Sequence, residues 1–125
     1  MEFNGNQPIY LQLLEEFYRL LTSDEWKPGE KIPSVRQLAS IYGVNPNTIQ
    51  KALQELEREN LAISDRTRGR FITEDVALIE NLRERSFLEI CDQLIQVAED
   101  LKMKPETALR FIESRWNKKE EENHG

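Results

Sequence analysis

Residues 35–56 read VRQLASIYGVNPNTIQKALQEL, and this stretch decides the fold. Ser34, just before it, is a helix N-cap, and Gln37 three residues on completes a capping box. A short helix is expected from Val35 to Tyr42. Gly43 ends it, because glycine enters the left-handed backbone conformation without a Cβ clash. Asn45-Pro46 opens the next helix, with asparagine as the cap and proline at the first helical position. That helix runs to about Glu59, with Ile49, Ala52, Leu53 and Leu56 as its buried stripe. Two helices joined by so tight a turn read as a helix-turn-helix rather than a plain αα-hairpin when three spacing requirements are met together. The motif needs a small residue where the helices cross, a residue that accepts positive φ at the turn, and a bulky apolar residue to fill the crossing. Ala39, Gly43 and Ile49 meet these needs in register, and Leu38, Val44 and Leu53 supply the surrounding core.

The flanks complete a small domain. Upstream, Pro8 suits the first turn of a helix whose apolar residues are Ile9, Leu13, Leu14, Phe17, Leu20 and Leu21. Their three- and four-residue spacing is that of an amphipathic helix, and Pro28-Gly29 is the expected stop. Downstream, 61–64 reads as a strand, 65–69 as a turn and 70–73 as a returning strand. Asn60, before the first strand, is the expected helix stop.

The polar residues of the second motif helix carry the chemistry. Asn47, Gln50 and Lys51 stand at i, i+3 and i+4 and share a face. Asparagine and glutamine can each pair with adenine in the major groove, while Thr48 and Lys51 suit phosphate or base. The helix start also promises free backbone N–H groups to a phosphate. Arg36 lies on the first motif helix, which crosses the DNA backbone in such folds. Arg66, Arg68 and Arg70 surround Gly69 in the hairpin, where a wing can reach phosphates or the minor groove. Each of these residues also has a plainer reading, as a solvated surface group or an edge that deters aggregation.

Several strings in this region resemble the GntR family of bacterial transcription regulators. They are Gln7-Pro8-Ile9-Tyr10-Leu11-Gln12, the run from Trp26 to Ala39, the run from Gly43 to Leu53, and Leu56-Glu57-Arg58-Glu59. The resemblance covers about residues 7–73. Asn-Pro-Asn-Thr followed by Gln-Lys resembles the YtrA-like subfamily. It implies a dimeric repressor, often encoded beside an ABC transporter, with DNA contacts at Arg36, Asn47, Thr48, Gln50 and the wing around Gly69. Asn60 stands where the family usually has glycine, and Thr67 takes the place of the first glycine in the common Gly-x-Gly of the wing.

From Val76 the pattern is helical for about 25 residues, long beside the usual 11 or 12. Ile79, Leu82, Phe87, Ile90, Cys91, Leu94, Ile95, Ala98 and Leu101 form one broad stripe, with Lys104-Pro105 as the expected break. A last helix, from Pro105 to about Lys118, carries Ala108, Leu109, Ile112 and Trp116. One small winged domain cannot cover both stripes. A symmetric dimer through Phe87, Ile90, Leu94, Ile95, Leu101, Ile112 and Trp116 is therefore expected. The YtrA-like resemblance agrees, since those proteins end in a small pair of dimerising helices.

Composition narrows the function. The 125 residues are 38% hydrophobic and 32% charged, a globular balance, with a net charge of −6. Residues 1–73 carry nine Lys/Arg against ten Asp/Glu, and the excess acidity lies beyond them. Affinity for phosphates follows local cations rather than the overall sum. A single cysteine, Cys91, and a single histidine, His124, leave no nucleophile–base pair and no zinc set, so neither an enzyme nor a cofactor or metal is expected. Glu89, Asp92, Glu99 and Asp100 read as a solvated face. No membrane span or leader is apparent, which fits a cytoplasmic protein.

The expected architecture is mainly α with one β-hairpin. It comprises a winged helix-turn-helix over 1–74, a two-helix dimerisation and effector region over 75–118, and a charged flexible tail over 119–125. The expected partners are an operator duplex and a second copy of the chain, and the sequence indicates no effector. The competing reading is a winged helix that binds a protein and shows no specific DNA binding.

Overall fold

The computed structural model describes residues 1–124 and has five helices and one hairpin. Helix α1 spans Ile9–Thr22, α2 Val35–Tyr42, α3 Pro46–Arg58, α4 Val76–Asp100 and α5 Pro105–His124. Strands β1 (Ala62–Asp65) and β2 (Gly69–Ile72) pair antiparallel, with Ser64 opposite Arg70 and Asp65 opposite Gly69. The fold is therefore the expected one, mainly helical with a small winged hairpin. None of the described helices is long and apolar enough to cross a membrane.

The helix-turn-helix forms as its residues dictate. The Ser34 hydroxyl accepts from the Gln37 amide at 3.1 Å, and the Gln37 side chain accepts from the Ser34 amide at 2.8 Å. Gly43 closes α2 in the left-handed region, at φ +65°. The whole apolar stripe of α3, namely Ile49, Ala52, Leu53 and Leu56, is fully buried. Helices α1 and α2 both pack on α3, so α3 is the central element of this unit. Phe17 of α1 fills the middle, 5.1 Å from the Trp26 ring and edge-on to Tyr42 at 6.1 Å. Burying such a side chain stabilises the fold by about 1.5–3 kcal/mol.

Several local details differ from expectation. Pro8 is the cap of α1 rather than part of its first turn, because its extended ψ of 141° lies outside the helix. Ile9 is exposed and Gln12 is buried instead. The Gln12 amide satisfies the N-terminal segment, donating to the Asn4 and Gln7 carbonyls and accepting from the Asn4 amide. Helix α1 ends at Thr22, ahead of Pro28-Gly29, because Asp24 takes a left-handed conformation at φ +63° and the chain turns there. Asn60 takes the same conformation at φ +62°, as its position after α3 requires. The strands lie about one residue off their expected bounds. Residues 29–32 run along β2 as a further edge: Ile32 N–H donates to the Arg70 carbonyl at 2.9 Å, and Ile72 N–H to the Glu30 carbonyl at 2.8 Å.

The chain divides into two compact units, Met1–Glu84 and a second beginning at Arg85. The division falls later than residue 74 because the first two turns of α4 belong to the first core. Ile79 and Leu82 are buried there, and the Arg83 guanidinium donates to the Thr22 carbonyl at the end of α1. In the second unit, Lys102 at φ +61° ends α4 before Lys104-Pro105 is reached, and Met103 N–H closes back on the Ala98 carbonyl at 2.9 Å. Helix α5 continues past Lys118 to His124, so residues 119–124 of the expected tail are helical. Nothing between Pro105 and His124 breaks a helix, and the Lys118–Glu122 pair has the i, i+4 spacing that supports one. Gly125 lies outside the described residues.

Candidate nucleic-acid interface

The open face of α3 is set by its buried one. With Ile49, Ala52, Leu53 and Leu56 inside, Asn47, Lys51 and Gln54 are exposed and Gln50 is half-buried. Asn47 and Gln54 lie two turns apart, on the line that bisects this face. Gln50 flanks that line on the wing side, where its carbonyl oxygen accepts from Arg70 Nη1 at 3.3 Å. Lys51 flanks it on the other side, with its ammonium 3.7 Å from the centre of the Tyr10 ring. The expected reader triad is thus spread out, with one member anchored to the wing and another to α1. Gln54 was not anticipated, although its seven-residue offset from Asn47 marks the same face.

The start of α3 offers less to a phosphate than its capping signals suggest. Pro46 has no N–H. The Asn47 N–H is taken by the Asn45 side chain at 2.8 Å, and the Thr48 and Ile49 N–H groups by the Asn45 carbonyl. The expected free backbone donors are therefore all occupied. Thr48 is half-buried.

The wing arginines also separate by role. Arg70 is turned inward, its side chain 20% exposed and ion-paired with Glu57 of α3. Glu57 also accepts from the Ser64 hydroxyl at 2.7 Å. Burial pushes the Glu57 carboxyl up, but the hydrogen bonds from Ser64 and Arg70 and the arginine charge outweigh it and hold it below its ordinary value. Arg68 points outward and pairs with Asp65 at 3.2 Å. Arg66 is exposed, as is Arg36 on α2, and neither has an ion-pair partner among the described residues. These two are the arginines of the expected set that no ion pair holds among the described residues.

Thr67 does not disturb the wing tip, since it avoids positive φ. Asp65 organises the turn instead, accepting from the Thr67 amide and hydroxyl at 2.9 Å each and from the Arg68 amide at 3.3 Å. Those bonds, the Thr67 amide first, lower the Asp65 carboxyl to about 2. Only Gly69 at the tip needs positive φ, at +104°. The Lys31 side chain crosses over it, and a Cβ at residue 69 would lie 3.1 Å from Lys31 Cε. Lys31 is a further cation beside the wing that sequence spacing did not reveal, because only the edge pairing of residues 29–32 brings it there. Lys31, Pro33, Ser34, Gln37, Arg66 and Gly69 are among the residues lining a groove of about 790 Å³ between the wing and the start of α2.

Comparison with known proteins agrees with this geometry. The family model described as bacterial regulatory proteins, gntR family, matches residues 9–72. The chain is 42% identical over 96 residues to the HTH-type transcriptional repressor YtrA of Bacillus subtilis, covering 77% of this chain and 72% of that one. A GntR family transcriptional regulator from Listeria monocytogenes superposes with a TM-score of 0.84 at 29% identity, covering 90% of this chain and 98% of that one. The DNA-binding domain of AraR, solved in complex with operator ORR3, superposes with a TM-score of 0.52 at 29% identity, covering 58% of this chain and 88% of that one. With its winged helix-turn-helix and these matches, the chain belongs to the gntR family of bacterial regulatory proteins and is a YtrA-like transcriptional regulator rather than an enzyme.

Proposed function

We propose that the protein is a homodimeric repressor that binds a palindromic operator through α3 and the wing. The observation that carries this reading is the polar face of α3, which is left open opposite a fully buried apolar face. Asn47 and Gln54 read base edges from its centre, and Gln50 from its wing side. Thr48 and Lys51 border that surface, while Arg36, Arg66, Arg68 and Lys31 provide the phosphate contacts. Gly69 lets the wing tip approach the duplex. Arg70 acts from inside the wing. The operator complex of the AraR domain supports a DNA partner, and the name of the Bacillus subtilis relative supports repression.

Dimerisation is proposed for the second unit. No side chain from residue 85 to 124 is buried, while Phe87, Ile90, Leu94, Ile95, Leu101, Ile112 and Trp116 are each at least 40% exposed. Leu88, Val97, Leu109 and Phe111 add to this apolar surface. A second copy covers it by two-fold symmetry and presents two α3 helices to two half-sites. The protein acts in the cytoplasm, and the YtrA-like resemblance makes an ABC transporter operon the target. No cofactor is part of this reading, and no effector is assigned.

The test is binding of the purified chain to DNA from upstream of its own gene at two salt concentrations. The expected result is tight binding that weakens steeply with salt yet survives excess competitor DNA. Weak binding, equal for all sequences, would overturn the reading in favour of a protein-binding winged helix.

A further inference from the structure

The Gln50 carbonyl oxygen accepts a hydrogen bond from Arg70 of the wing. We propose that Gln50 recognises guanine by donation, with its amide oriented by Arg70 as a positioning residue. This role rests on the DNA-binding function proposed above.

An arginine guanidinium has donors and no acceptor. The Gln50 atom that faces Arg70 Nη1 at 3.3 Å is therefore the carbonyl oxygen, whichever way the amide would otherwise turn. That orientation leaves the NH₂ group as the part of Gln50 that is free to meet the groove. Paired readout of adenine needs both ends of the amide, the oxygen for the N6 amino group and the NH₂ for N7. With the oxygen held by the wing, adenine pairing would have to use its remaining lone pair, whereas donation from the NH₂ group needs no such sharing. Guanine presents two neighbouring acceptors, N7 and O6, and suits a group that only donates.

The anchor is rigid because it is itself held. Arg70 Nε donates to Glu57, and the Ser64 hydroxyl donates to the same carboxylate oxygen at 2.7 Å. Ser64 and Arg70 are cross-strand partners in the hairpin. Gln50 and Glu57 are seven residues apart on α3 and share a face. The Arg70 and Glu57 side chains are only 20% and 29% exposed, so water competes little for these bonds. One arginine thus spans from the wing to α3 at two points, a carboxylate and a reader.

The test is selection from randomised duplex DNA by the full-length chain and its Q50A, R70K and R70A variants. The wild-type chain is expected to enrich a site in which the base pair that loses preference in Q50A is G·C. R70K keeps the charge near Glu57 but loses the second arm that reaches Gln50. Its discrimination of G·C over A·T at that one pair is expected to fall about tenfold, with other positions unchanged. R70A is expected to do the same without changing the salt dependence of binding, whereas loss of a phosphate contact would lower that slope by about one. Melting curves check that the variants fold, and R70K carries the test should R70A unfold. An A·T pair at the Gln50 position would overturn the proposal, as would a lowered salt slope with the G·C preference intact. Failure of the wild-type chain to enrich any sequence would overturn the DNA-binding function itself, and this role with it.

Discussion

Phe17 and Phe87 are both apolar residues in the stripe of an amphipathic helix, yet Phe17 is fully buried and Phe87 is 62% exposed. The same contrast holds across their surroundings. Residues 1–84 hold every buried side chain of the described chain, and residues 85–124 hold none. Apolar periodicity shows that a helix has a buried face, but it does not say whether the covering surface comes from the same chain or another. In the first unit α3 supplies that surface for α1 and α2. In the second, the proposed answer is another copy of the chain.

The sharpest way to break this contrast is to place a charge in the second unit. Leu94→Asp removes two leucines from the proposed dimer and buries two carboxylates in their place. At about 1.5–3 kcal/mol per leucine, the dimer should dissociate more than a hundredfold more readily. Sedimentation should show monomers, binding to a two-half-site operator should collapse, and the first unit should remain folded. A dimer that survives would remove the proposed interface.

The two phenylalanines provide the next comparison. Phe17→Ala should cost about 3–5 kcal/mol of stability at any protein concentration, because its cavity lies within one chain. Phe87→Ala should destabilise only through association, so its effect should grow as the protein is diluted. Urea denaturation at two protein concentrations separates the two cases. A concentration-independent loss at Phe87 would mean that the second unit is stabilised from within.

A smaller effect tests the first unit alone. Ser34→Ala removes one half of the capping box and should cost about 1 kcal/mol. Thermal melting should shift while dimerisation stays unchanged, since the cap is remote from residues 85–124 in sequence and lies in the other unit. A change in the dimer dissociation constant would mean that the effect of the cap reaches the second unit.

Most of the fold was legible because local signals agreed with one another. Ser34 with Gln37, Gly43, and Asn45 with Pro46 each fix a helix end by a backbone requirement that sequence displays directly. The missed ends have less distinctive residues: Asp24 and Lys102 take left-handed conformations that a sequence reader grants first to glycine or asparagine. The candidate site was legible as a set of residues but not as a division of roles. Spacing placed Asn47, Gln50 and Lys51 on one face, and it could not show that Arg70 would claim the Gln50 carbonyl or that Tyr10 would sit under Lys51. Those contacts join residues 20 and 41 positions apart in the chain, so they depend on tertiary packing. Lys31 was missed for the same reason.

The smallest expected effect concerns the wing tip, where Asp65 accepts the hydrogen bonds that organise the turn. Its carboxyl is lowered from 3.8 to about 2 by the Thr67 amide and hydroxyl and by Arg68. A carboxyl lowered on folding contributes stability above its unfolded value, and that contribution disappears as the pH falls through the folded one. The turn should therefore be intact above about pH 4 and loosen as the pH approaches 2, with no change near neutrality. Amide resonances of Thr67 and Arg68 should titrate together with a midpoint near the Asp65 value. Asp65→Ala should remove that titration and free Arg68 while leaving the melting temperature almost unchanged, since these groups are exposed and solvent screens them. A midpoint at the ordinary carboxylate value would mean that the tip is held by Gly69 and strand pairing alone. In that case Thr67 would occupy the glycine position without any compensating bond.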